Sequence, residues 1–190
     1  MPLADPPPGV RCWSPSYPFK ALCSGPEPPQ TQLPIQYIAT YSSESSLPGV
    51  NGSSPVAMWL CVLKGLKLYT SYKLNITAVN RMGSGSHLHA FTVEDIVKPD
   101  LPVNVTGKLK LSVKWAPPPS WSDRTLFPLK YQVRYHWDNT GTPHECADSY
   151  ILPGLSPGRS HLVQVCSMEL MGLGQSSDWS LPITVTMPAH

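Results

Sequence analysis

The chain has 190 residues, 23 of them proline, a formal charge of only +2 and 14% charged side chains. So weak a field holds neither nucleic acid nor an anionic bilayer, which leaves a protein surface as the expected partner. The length suits two sandwich-sized modules and leaves no room for a doubly wound catalytic domain with a substrate domain beside it.

Residues 1–9 form a proline-rich N-terminal segment, expected to be extended or disordered because proline brings no backbone donor to a sheet. Met1-Pro2-Leu3-Ala4-Asp5 has neither the basic start nor the apolar run of a signal peptide. A first module is expected over residues 10–98. Cys12 and Cys23, close together across an aromatic and proline segment, fit a bridge between neighbouring strands in an oxidising compartment. Tyr37, Ala39 and Tyr41, and then Tyr72, Leu74, Ile76 and Ala78, alternate with the period of strands that bury one face. Residues 42–57, rich in Ser, Gly and Pro, read as a long exposed connection. The most apolar run, Val56 to Leu63, is broken by Lys64 and Gly65, short of the roughly twenty residues that span a bilayer, so the chain is expected to be soluble.

Gly83-Ser84-Gly85-Ser86 reads as a turn between strands, lacking the helix and lysine of a phosphate loop. His87 and His89 share one strand face and offer two zinc ligands, but no third and fourth follow at suitable spacing, so an exposed polar face is the expected reading. Lys98-Pro99-Asp100-Leu101-Pro102 punctuates the middle as an extended elbow. The second module is expected over 99–188. There Leu111, Val113 and Trp115 alternate up to Ala116-Pro117-Pro118-Pro119, with Trp115 the expected core tryptophan. His144-Glu145-Cys146 holds metal-ligand types in a row, but adjacent strand residues point apart. No Gly-x-Ser-x-Gly word occurs. The chain is expected to be no enzyme and to need no metal or cofactor.

The two modules repeat each other. Pro34-Ile35-Gln36-Tyr37-Ile38-Ala39-Thr40-Tyr41 answers Pro128-Leu129-Lys130-Tyr131-Gln132-Val133-Arg134-Tyr135. Tyr72 to Ala78, running into Met82-Gly83-Ser84-Gly85, answers His161 to Ser167, running into Met171-Gly172-Leu173-Gly174. An offset of about ninety residues is the size of one immunoglobulin-like sandwich. With no long amphipathic helical pattern, the fold is expected to be all-β: two tandem fibronectin type III-like sandwiches joined at an elbow.

Three acceptor sequons, at Asn51, Asn75 and Asn104, are N-glycosylation sites if the chain is secreted. The five cysteines cannot all pair. Beyond Cys12 and Cys23, the fate of Cys61 is open between a buried thiol and an intermolecular link. Cys146 and Cys166 bridge only if their Cα atoms come within about 7 Å.

Trp115 with Pro117-Pro118, the Tyr131 to Tyr135 strand, Ser177-Asp178-Trp179-Ser180, and the pair Cys12 and Cys23 resemble the fibronectin type III pair of class I cytokine receptors. Tyr37 to Tyr41, Leu74 to Val79, Ile96-Val97-Lys98-Pro99-Asp100, Ser120-Trp121 and Leu129-Lys130-Tyr131 are similar, in order, to the soluble receptor-like chains of that family. The resemblance implies a secreted, extracellular beta subunit of a heterodimeric cytokine that acts in immune signalling. Its implied partners are a four-helix alpha subunit of the interleukin-27 alpha or interleukin-12 alpha type, bound at the elbow, and signalling receptors of the gp130 type. An alternative within the family is the ligand-binding ectodomain of a membrane-anchored or lipid-anchored receptor alpha chain.

By the same resemblance, Tyr69 is the aromatic inserted at the partner, with Trp121, Asp123, Leu126, Phe127, Gly172 and Leu173 completing the surface. An ordinary half-exposed loop tyrosine is the other reading of Tyr69. Ser177, Trp179, Ser180 and Arg134 form the family's tryptophan–serine motif with a short cation-π ladder. The chain departs from the pattern at Ser176, which replaces the first tryptophan of the motif, and at Gly25, which replaces a tryptophan after Cys23. Gln164 and Cys166 occupy the ladder side of their strand. His161 takes the place of the corner tyrosine Tyr72 and is expected to bond backbone through one ring nitrogen.

Overall fold

The alternating runs read from the sequence pair into ladders. The computed structural model describes residues 9–25, 35–43, 52–56, 60–108, 112–136, 144–146, 149–152, 158 and 160–186, and among these there are strands and turns but no helix. Residues 1–8 of the proline-rich segment and the Asn51 sequon position lie outside the described residues. The chain divides into two compact units, residues 1–96 and 97–190.

Unit 1 carries β1 (Arg11–Ser16), β2 (Lys20–Ser24), β3 (Gln36–Ser43), β4 (Gly52–Val56), β5 (Leu60–Lys64), β6 (Ser71–Asn80) and β7 (Gly83–Thr92). Unit 2 carries β8 (Val103–Lys108), β9 (Ser112–Ala116), β10 (Leu129–His136), β11 (His144–Cys146), β12 (Ser149–Ile151), β13 (Ser160–Glu169) and β14 (Ile183–Thr186). The wiring is the same in both. First, second and fifth strands make a three-stranded sheet, β1-β2-β5 and β12-β9-β8, while the others make four-stranded sheets, β4-β3-β6-β7 and β11-β10-β13-β14. The sequence repeat is therefore a repeat of topology, with β3 and β6 standing to unit 1 as β10 and β13 stand to unit 2.

Each sheet buries one face. In unit 1 the alternation along β6 puts Tyr72, Leu74, Ile76 and Ala78 inward, and Ala21, Cys23, Cys61 and Leu63 are the buried positions of β2 and β5. In unit 2 the core is Val113, Tyr131, Val133, Leu152, Val163, Val165 and Val185, with Trp115 packed against it at 5.3 Å from the Tyr131 ring. Trp115 is only partly buried, and its Nε1 is enclosed without a hydrogen-bond partner among the described residues. The Tyr72 hydroxyl accepts the Lys67 N–H at 2.8 Å, the corner expected of this position. His161 is buried too, but its Nε2 has no partner among the described residues, so that nitrogen does not make the expected backbone bond.

Several local expectations change. The stretch 42–57 is not all connection: β3 continues to Ser43, and β4 pairs with it from Tyr37↔Val56 to Tyr41↔Gly52. Gly-Ser-Ser-Pro has little strand propensity, but an open ladder on β3 recruits it, and Pro55 is tolerated because β4 is an edge strand. The glycine-rich Gly83 to Ser86 lies inside β7, paired with β6 down to Asn80↔Gly83. The turn is Arg81-Met82, closed by Asn80 Oδ1, which accepts the N–H groups of Met82 and Gly83. His87 and His89 stand opposite Ile76 and Leu74, so they lie half-buried on the core face of β7 and not on an exposed polar face. Cys146 and Cys166 sit on strands flanking β10 from opposite sides, opposite Tyr131 and Gln132. Two strand spacings put their backbones about 9–10 Å apart, beyond bridging range. Cys166 is a free, buried thiol.

Leu74 is fully buried in the middle of β6. Leu74→Ala leaves a cavity there and is expected to destabilise unit 1 by about 2–5 kcal/mol, read as a lower denaturant midpoint with an unchanged slope.

Candidate functional site

The first part of the site is built on β13. Beyond Val163 this strand loses β14 as its neighbour, and residues 175–182 run past it without forming a strand. Its backbone groups still need partners. Ser177 donates its N–H to the Ser167 carbonyl at 2.8 Å, and its Oγ accepts the Ser167 N–H at 2.9 Å. Ser180 does the same for Val165, at 2.8 Å through backbone and 3.0 Å through Oγ. Each serine thereby supplies both halves of one ladder rung, and both are buried.

That arrangement lays Trp179 over Arg134, whose guanidinium carbon is 4.3 Å from the ring centroid. Gln164 lies beside Arg134 across the β10–β13 ladder. Its Oε1 accepts from Arg134 Nε at 3.0 Å and Nη2 at 2.7 Å, and its Nε2 donates to the Ser180 carbonyl at 2.8 Å. Two rungs further along the same ladder stands Cys166, whose thiol reaches Gln132 Oε1 at 3.9 Å. Burial pushes that thiol up to about 11, so it stays protonated.

The second part is the loop between β9 and β10. Trp121 is buried, and its Nε1 donates to the Phe127 carbonyl at 2.8 Å. Asp123 Oδ1 accepts the N–H groups of Thr125 and Leu126, and its carbonyl accepts the Phe127 N–H. Trp121 and Asp123 therefore shape this loop, while Leu126, 71% exposed, fronts it. The turn after β13 is joined to the same end of unit 2 by the Leu170 N–H donating to the Pro128 carbonyl at 3.0 Å. In it Gly172 has φ +82, a half-buried Leu173 donates its N–H to Glu169 Oε2, and Met171 is 81% exposed. Met171 is the most exposed apolar side chain of that turn, ahead of the Gly172 and Leu173 that follow it.

Tyr69 is in unit 1, in the turn between β5 and β6. Its side chain is 84% exposed and its φ is +52, left-handed backbone that a tyrosine rarely adopts. Glu94 holds it there: Oε1 accepts the Tyr69 N–H at 2.9 Å and the Tyr17 hydroxyl at 3.2 Å. Nothing local in the sequence marks Glu94, because this contact spans the length of β6 and β7.

Cys12 and Cys23 form a disulfide between β1 and β2. Asn104 is exposed at φ +53 beside an irregularity in the β8–β9 register, and Asn75 is half-buried on β6. No cluster of three or more metal-ligating side chains occurs among the described residues.

Two sandwiches of matched wiring, each with seven strands among its described residues and the second bearing a tryptophan–serine segment stacked on an arginine, define a cytokine-receptor-like chain. Residues 8–91 match the family described as IL27B N-terminal FN3 domain. The chain is 35% identical to human Interleukin-27 subunit beta, over 95% of this chain and 85% of that protein, and 34% identical to the mouse protein, over 96% and 86%. It is also 29% identical to the dog Ciliary neurotrophic factor receptor subunit alpha, over 94% of this chain but 51% of that protein. The chain belongs to the interleukin-27 beta family of cytokine-receptor-like chains. None of these relatives is named as an enzyme.

Removing the Ser177 hydroxyl strips the buried Ser167 N–H of its acceptor, so Ser177→Ala is expected to destabilise unit 2 by about 1–3 kcal/mol in chemical denaturation. A second expectation concerns acid. Burial, helped by the neighbouring His87, holds His89 below the usual imidazole pKa. Its unfolded form takes a proton first, so stability is retained above roughly pH 6.5 and falls as pH drops from that unfolded value toward the lowered folded one. Melting temperatures across this range should fall less steeply for His89→Gln than for the parent.

Proposed function

We propose that this chain is the secreted, extracellular beta subunit of a heterodimeric cytokine. It binds a four-helix-bundle alpha subunit through loops of both units and presents it to signalling receptors of the gp130 type in cytokine-mediated immune signalling. The observation that carries the reading is Tyr69: a large aromatic ring, 84% exposed, on backbone that costs free energy and is held in place by Glu94. A side chain held out at such a cost suits an anchor for a partner's pocket, and a buried aromatic anchor is worth about 2 kcal/mol or more on truncation. Leu126 and Met171 are the corresponding apolar tips of unit 2.

The alpha subunit is of the interleukin-27 alpha or interleukin-12 alpha type; the first of these is supported by the name Interleukin-27 subunit beta of the human and mouse relatives. Passage through an oxidising secretory route is supported by the Cys12–Cys23 disulfide. There Asn104, exposed, is the glycan acceptor best placed for access, with Asn75 and Asn51 the other two. The second reading, a receptor alpha-chain ectodomain, draws on the ciliary neurotrophic factor receptor relatives. It differs in binding an already assembled cytokine and not an isolated alpha subunit.

Co-expression in a secretory host with each type of alpha subunit from the same species is expected to yield a 1:1 complex by size exclusion and intact mass. Tyr69→Ala is expected to weaken that complex at least about tenfold with no change in melting temperature. Secretion of a folded monomer that binds neither subunit would overturn the reading in favour of the ectodomain. Undiminished binding by the variant would remove Tyr69 from the interface.

A further inference from the structure

The register of the small sheet in unit 1 places three cysteines side by side. Cys12 on β1 stands opposite Cys23 on β2, and Cys23 stands opposite Cys61 on β5. Directly opposed residues of antiparallel strands project to the same face with Cβ atoms about 4.5–5.5 Å apart. Cys23 and Cys61 are both buried positions of their strands, so they share the core face. Cys12 and Cys23 are bonded, and Cys61 is a free thiol. The register alone therefore places the Cys61 side chain next to Cys23 on the same face of the sheet.

We propose that Cys12, Cys23 and Cys61 form an exchangeable disulfide relay, whose alternative bond, Cys23–Cys61, releases Cys12 as a modifiable thiol on an edge strand. Cys61 gives its proton to solvent, and the thiolate attacks Cys23 Sγ. The Cys61–Cys23 bond forms as the Cys23–Cys12 bond breaks. The electron pair leaves on Cys12 Sγ, which takes up a proton. One disulfide exists before and after, so no oxidant or reductant is consumed.

The order of the strands suits the step. Thiol–disulfide exchange needs the attacking sulfur on the far side of the central sulfur from the leaving one, and β2 lies between β5 and β1. Burial raises the Cys61 thiol, which keeps its thiolate scarce and the exchange slow. The two end states differ at the surface. With Cys12–Cys23 bonded, edge strand β1 is stapled to its neighbour and the spare thiol is buried. With Cys23–Cys61 bonded, the staple joins the central strand β2 to the opposite edge strand β5, and the spare thiol sits half-buried on β1, open to a low-molecular-weight disulfide or an alkylating agent.

The test is native alkylation of the full secreted chain with iodoacetamide, followed by peptide mapping without reduction. The parent should yield both Cys12–Cys23 and Cys23–Cys61 linked peptides, with the alkyl group on Cys12 in the second population. Cys61→Ser should lose Cys12 alkylation to background, and Cys12→Ser should carry Cys23–Cys61 as its bond. Equal Cys12 alkylation in the parent and Cys61→Ser, or alkylation of both Cys23 and Cys61 in Cys12→Ser, overturns the relay. If Cys12→Ser is not secreted, the parent map decides. Only Cys12–Cys23, even after incubation with catalytic free thiol, overturns the proposal, and the appearance of Cys23–Cys61 supports it.

Discussion

The backbone of β13 must be hydrogen-bonded on both sides, and much of unit 2 follows from how that is done. On one side β10 pairs with it along its length, from Leu129↔Glu169 to His136↔Leu162. On the other, β14 covers only Ser160 to Val163. A buried strand cannot leave the next rungs open, since an unpaired peptide group costs as much as a lost hydrogen bond. Ser177 and Ser180 close them with backbone donors and hydroxyl acceptors, and the non-strand geometry between them turns Trp179 onto Arg134. The start of the unit is tied to the same place. The Ser167 hydroxyl donates to the Asp100 carbonyl, the Gln175 N–H donates to the Val97 carbonyl, and Lys98 pairs with Asp178 at 3.2 Å. Gly174 is required there, because a Cβ at this position would meet the Val97 carbonyl oxygen at 2.1 Å.

The exposed tips rest on a different balance. The turn after β13 gains its left-handed backbone from Gly172 and Gly174, which adopt it at little cost. Tyr69 adopts the same region with a full side chain, at a cost on the order of 1–3 kcal/mol. A carboxylate accepting the Tyr69 N–H offsets part of that, since hydrogen bonds to charged groups are the stronger kind. A turn selected only for folding would place glycine at this position, as the turn after β13 does at Gly172 and Gly174. Keeping tyrosine there retains a ring that the fold itself does not use.

How much of this was legible in the sequence depended on the range of the interaction. The long strands β3, β6, β10 and β13 declared themselves by period-2 burial, and the two-fold repeat by its matched words. β4 did not, because Gly-Ser-Ser-Pro pairs only in answer to an open edge elsewhere. The inward face of His87 and His89 was hidden for a related reason. β7 opens with alternating glycine and serine, which carries no apolar phase, so its facing is dictated by Ile76 and Leu74 across the ladder. In the site, Trp179 and Arg134 followed from a motif. The division of labour in the loop after β9 did not: Trp121 braces and Leu126 fronts, and a loop aromatic looks the same in sequence whichever it does.

Gln164 gives the shortened ladder its internal logic. A second guanidinium at this position would stand across the ladder from Arg134 and repel it, unless another tryptophan lay between them, and Ser176 occupies the motif position that would supply one. A neutral amide removes the conflict. Its carbonyl oxygen takes two donors from Arg134 and fixes the guanidinium plane beneath Trp179, while its amide nitrogen satisfies the Ser180 carbonyl. The loss of the first tryptophan and the amide on β13 are thus compatible changes. One stacked cation, held by Gln164, suffices to hold the tryptophan, because the serine rungs on either side already set its backbone.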